Sequence, residues 1–100
     1  MLSEQDAIAV VERELAKFEP LPEGDTWVMQ LQHTIERPIG WVFFYGSKLF
    51  AQTGEFKHAV AGNSPFIVNR NTGKVVSIGT ARPVEHYIAE YEARLASQRT

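Results

Sequence analysis

Three histidines, His33, His58 and His86, are the side chains best suited to proton transfer or metal ligation in this cysteine-free chain of 100 residues. A metal site here would have to combine them with carboxylates. His86 and Glu90 stand at i, i+4 on one predicted helix face, and Glu36 lies three residues beyond His33. Both spacings are common in any sequence, and surface or hydrogen-bonded histidines are the preferred explanation. Ser64 sits in Gly62-Asn63-Ser64-Pro65. A nucleophile elbow runs strand, turn, helix in the pattern G-x-S-x-G. Here Pro65 follows the serine and a predicted strand follows Pro65, which fits a turn with Gly62 and Asn63 taking unusual backbone angles. Glu85, Glu90 and Glu92 offer carboxylates for acid–base work. Interleaved with Arg94, they also read as the charged outer face of an amphipathic helix. No catalytic, metal-ligating or cofactor-binding residue is assigned, and a protein without enzymatic activity is expected.

The elements that would position these side chains are legible from hydrophobic period. Ser3 is a good N-cap with Asp6 three residues on, a variant of the capping box. Ile8, Val11, Leu15 and Phe18 then recur at helical spacing, predicting an amphipathic helix over residues 4–18. The Glu19-Pro20-Leu21-Pro22-Glu23-Gly24-Asp25 stretch ends it. Trp27, Met29, Leu31, His33 and Ile35 alternate with Val28, Gln30, Gln32 and Thr34, the period of a half-buried strand. Gly40-Trp41-Val42-Phe43-Phe44-Tyr45 is apolar on both faces, as a central strand with something packed on each side would be. The two strands are expected to form an antiparallel hairpin. Residues 46–63 predict a strand extension followed by a packed loop or short helix. Residues 65–70 and 75–78 are strands joined by Asn71-Thr72-Gly73-Lys74, with Gly73 left-handed in a bulged hairpin. Gly79 closes the return strand, and Pro83 opens a second amphipathic helix carrying Val84, Tyr87, Ile88, Tyr91 and Leu95. The order is α-β-β-β-β-α: an α+β fold, a four-stranded antiparallel sheet flanked by the two terminal helices.

Composition narrows the function classes. At 100 residues the chain predicts one domain with one core. Net charge is −2 with acids and bases interspersed and no basic stripe, so a nucleic-acid partner is not expected. No apolar run approaches the ~20 residues of a membrane span. The N-terminal residues show no basic n-region and no apolar h-region. A cytoplasmic protein is the expectation. Trp27, Trp41, Phe43, Phe44 and Tyr45 concentrate aromatic surface. If both helices shield one sheet face, alternate members of 41–45 face solvent or a partner, and Tyr and Trp are favoured interface anchors.

Three tracts occur in order: Gly40-Trp41-Val42-Phe43, Gly62-Asn63-Ser64-Pro65-Phe66-Ile67-Val68 and Gly79-Thr80-Ala81-Arg82-Pro83-Val84-Glu85-His86-Tyr87. With these tracts the chain resembles the immunity protein 35 family from the first helix to Tyr91. Where the family's pattern often carries an acid after the third strand, this chain has Asn69. The resemblance implies an antitoxin of a bacterial polymorphic toxin system, binding and neutralising a cognate toxin domain. Papain-like peptidase or deamidase toxins are the partner classes it suggests. A chaperone-like stress protein and a small enzyme are the alternatives.

On that reading, Gly40, Trp41, Phe43, Gly62, Asn63, Pro65, Gly73, Gly79, Pro83 and Tyr87 serve the fold. Partner contacts are expected around an open sheet face and the 46–60 segment, at Tyr45, Lys48, Phe50, Glu55 and Lys57, with Glu36 and Arg37 at the hairpin end. Loops on a rigid scaffold are where recognition usually sits.

Overall fold

The computed structural model describes residues 1–55 and 63–97. Helix α1 (Glu4–Leu15) begins where the sequence places its cap: the Ser3 hydroxyl accepts from the Asp6 amide, and the Asp6 carboxylate accepts from the Ser3 amide. The chain then lays down β1 (Trp27–Met29), a single 3₁₀ turn (Leu31–His33), β2 (Ile35–Arg37), β3 (Gly40–Phe43), β4 (Tyr45–Ser47) and the short helix α2 (Lys48–Thr53). Strands β5 (Phe66–Asn69) and β6 (Val75–Ser77) follow, and α3 (Val84–Ser97) completes the described fold. The fold is α+β, with helices at both ends and antiparallel strands between them. Four strands form one sheet in the order β2-β3-β5-β6, and β1 pairs with β4 in a second, two-stranded sheet.

The hairpin expected between residues 27–35 and 40–45 is present but broken. Gln30 donates to the Phe44 carbonyl, and Ile35 stands opposite Val42. Four residues lie between those pairs on one side and only Phe43 on the other. The 3₁₀ turn absorbs the surplus and reverses the side-chain phase. Trp27 and Met29 therefore pack toward α1, whereas Ile35 packs toward α3. A continuous strand would have sent all three to one face.

Both faces of the central sheet are covered. Trp41, Phe43 and Tyr45, with Phe66 and Val68, pack against Ala7, Val11 and Leu15 of α1. Val42 and Ile67 point the other way, onto Ile88 and Tyr91 of α3. This corrects the expectation that the helices share one face and leave the other open. A strand apolar on both faces needs a cover on each, and one terminal helix supplies each.

Candidate partner-binding surfaces

The three sequence tracts are structural joints. Gly40 has φ +148° opposite Asn69 where β3 begins its pairing with β5, and a Cβ there would collide with the Val68 carbonyl oxygen and lie 2.9 Å from the Arg70 nitrogen. Trp41 beside it is 2% exposed, and its indole Nε1 has no hydrogen-bond partner among the described residues. Phe43 is wholly buried, and Pro65 is buried at the entry to β5 with its carbonyl accepting from Ile78. At Gly79 a Cβ would come within 2.6 Å of the Tyr87 hydroxyl, so the glycine makes room for the tyrosine of α3. The Pro83 carbonyl accepts from His86 at the mouth of that helix. Asn69, 7% exposed, ties the β5–β6 turn together: its Oδ1 accepts from the amides of Asn71 and Thr72, and its Nδ2 donates to the Tyr91 hydroxyl. Gly73 occupies the left-handed position of that turn at φ +74°. Gly62 lies outside the described residues, and Asn63 is half-buried at their resumption.

The residues expected to meet a partner separate into two groups. Glu36 and Arg37 lie at the end of the sheet where β2 turns into β3. Arg70 stretches over the Trp41 ring at 4.4 Å and donates through Nη2 to Glu36 at 2.9 Å and to the Arg37 carbonyl at 3.0 Å. Arg37 in turn donates to Glu85 of α3 at 2.9 Å. These charges clamp β2, β5 and α3 together. At the opposite end of the β3–β4 run, Lys48 is exposed at the start of α2, Phe50 is 39% exposed on it, and Glu55 is exposed just after it. Lys57 falls outside the described residues. Helix α2 is held by Asp25, whose carboxylate accepts from the Ser47 hydroxyl and from the Leu49 amide. Ser47 caps the helix through the Phe50 amide.

Tyr45 is not a surface anchor. It is 7% exposed, stacks on Phe66 at 5.3 Å and meets Phe18 and Trp27 edge-on. Burial pushes its phenol above the ordinary value. The sequence placed Tyr45 beside a loop and pointed it outward, but the alternation of β3 continues through the bend at Phe44 and turns its ring toward α1.

The candidate chemistry is dispersed. His86 approaches Glu90 at 3.4 Å on the exposed face of α3, with Arg94 3.9 Å from the same carboxylate. His33 is exposed on the 3₁₀ turn, and His58 lies outside the described residues. Among the described residues no three His, Asp or Glu side chains are grouped to hold a metal ion.

One surface escaped the sequence reading. A groove of about 450 Å³ runs between α1 and β1, lined by Ile8, Leu15, Trp27, Val28, Met29 and Leu31, with Glu12 and Ala16 on its helix side. Its only signal in the sequence is the unbroken apolar triplet Trp27-Val28-Met29 followed by Leu31, which is 48% exposed.

Residues 5–93 match the family described as Immunity protein 35. The chain belongs to that family. Among curated proteins, this immunity protein 35 member is 40% identical over 58 residues to "Uncharacterized protein YrhB" of Escherichia coli (strain K12). That match covers 58% of this chain and 62% of the relative's length. No solved structure matches the chain. Among the described residues of this family member, no helix is long and apolar enough to cross a membrane.

Proposed function

We propose that this family member is a cytoplasmic antitoxin of a polymorphic toxin system. It binds one cognate toxin domain and blocks it sterically, by covering the catalytic cleft or substrate groove, with no chemistry of its own. The family membership over residues 5–93 carries the reading. The architecture supports it. With α1 and α3 covering the sheet faces, recognition falls to exposed positions outside them, including Phe50 and Lys48 on α2. Papain-like peptidase and deamidase domains are the toxin classes proposed. A high-affinity interface of this kind rests on a few desolvated anchors inside a polar rim.

Co-expression with the toxin domain of the neighbouring gene, scored by growth, is the test. Rescue with stoichiometric complex formation is expected. Absence of rescue with both proteins soluble, together with suppression of aggregation of unrelated denatured proteins, would replace this reading with a chaperone-like one. Within the antitoxin reading, Lys48→Glu and Phe50→Ala should weaken the complex while leaving the melting temperature nearly unchanged. Surface substitutions usually stay within about 0.5 kcal/mol.

A further inference from the structure

Strand β1 has a paired edge and an open one, and the pairing shows which groups the open edge offers. The Gln30 amide donates to the Phe44 carbonyl and the Lys48 amide to the Thr26 carbonyl. In the observed register Trp27 faces Ser47, Val28 faces Gly46 and Met29 faces Tyr45. Antiparallel ladders alternate bonded and non-bonded pairs, so residues 26, 28 and 30 bond toward β4. Trp27 and Met29 therefore turn their N–H and C=O groups away from β4, where no strand follows among the described residues. Such an edge is a template for an added strand. The apolar groove lies alongside it, roofed by α1, and would accept alternate side chains of an incoming segment. The Trp27 ring in its wall is fixed by an indole Nε1–H donated to the Glu19 carbonyl at 3.0 Å.

Charge selects the occupant. Residues 1–25 hold seven of the twelve acidic side chains and two of the ten basic ones. Glu12 lines the groove, and Glu4, Glu12, Glu19 and Glu23 are exposed and make no ion pair among the described residues. A second copy pairing β1 with β1 would bring two Glu12 carboxylates and two acidic N-terminal segments toward one another, which costs affinity. An anionic lipid surface is repelled for the same reason. Resting on the antitoxin reading, we propose that the open edge of β1 beneath α1 captures an extended, lysine- or arginine-bearing segment of the toxin domain as an added strand. Main-chain hydrogen bonds at Trp27 and Met29 would hold the segment, the groove would take its apolar side chains, and the acidic rim would select its basic ones.

The test uses the full chain and a catalytically inactivated form of the toxin domain that it neutralises. Backbone amide exchange, read residue by residue, should slow at least tenfold at Trp27 and Met29 on complex formation. Val28, already bonded to β4, should change little. Ala16→Trp fills the groove from an exposed position, and Glu12→Lys reverses its rim. Each should weaken the complex at least tenfold while melting like the unmodified chain. Unchanged exchange at Trp27 and Met29, or wild-type affinity in both variants, would overturn the strand-addition proposal while rescue by the unmodified chain keeps the antitoxin reading. A chain that is dimeric in solution through this edge, made monomeric by Ala16→Trp with toxin binding intact, would overturn it too. Absence of rescue by the unmodified chain would remove both.

Discussion

Arg70 joins two requirements at one point: its guanidinium covers the Trp41 ring and carries the ion pair to Glu36. Trp41 is 2% exposed, and truncating a buried aromatic costs about 3–5 kcal/mol. Trp41→Ala should accordingly lose a large part of the stability of a protein this size, read by urea denaturation. Trp41→Phe should cost much less. It keeps a ring beneath Arg70 and removes the unpartnered indole N–H, whose burial destabilises the folded chain by about 1–3 kcal/mol. The glycines divide in the same physical way. Gly40→Ala drives a Cβ into the Val68 carbonyl, backbone that cannot step aside, and should yield no soluble folded protein. Gly54 is also left-handed, at φ +68°, but has open space around it. Gly54→Ala should cost only the ~1–2 kcal/mol of the conformation itself, seen as a modest fall in melting temperature.

At the scale of elements, helix ends decide local stability. The Ser3 amide and hydroxyl hydrogen bonds hold the Asp6 carboxyl below its ordinary value of 3.8. A depressed folded value means that the capping contribution is complete above the ordinary value and is lost as pH falls through the lower folded one. The stability difference between the unmodified chain and Asp6→Asn should therefore be flat at neutral pH and shrink below about pH 4, measured by thermal melts across that range. At α2, Asp25 ties the loop to Ser47 and Leu49. Asp25→Ala should loosen that short helix, raising exchange of the Leu49 amide, at a cost of about 1–2 kcal/mol for a lost cap.

Across the whole molecule, the acidity of α1 and the loop after it stands apart from a remainder with more bases than acids. A net charge of −2 conceals that division. A field of this kind steers a basic partner over longer distances than contacts reach and is screened by salt. The association rate with the toxin domain should fall as sodium chloride rises from low to physiological concentration. The dissociation rate, set by the docked contacts, should change less. Stopped-flow fluorescence from Trp27 at the groove would follow both.

The period of Ile8, Val11 and Leu15, the cap at Ser3, the turn at Gly73 and the two-faced run 41–45 are local patterns. They determined the α+β class, the two terminal helices and most of the core, because short-range sterics and side-chain alternation act within a few residues. The expected order of four strands in one sheet, by contrast, became six strands in two sheets once the 27–35 and 40–47 runs were each broken in two. The tracts around Gly40, Gly79 and Pro83 carried the family. What lay beyond the sequence depended on groups distant in the chain. Which face each helix covers follows from the whole sheet needing two covers. The 3₁₀ break at Leu31–His33 follows from matching β1–β2 to the bent β3–β4 run. The burial of Tyr45 depends on Phe18, Trp27 and Phe66 converging from three separate segments. The open edge of β1 exists because no other strand of the described residues reaches it. An unfilled edge is a property of the assembled sheet, to which no single stretch of residues contributes a signal.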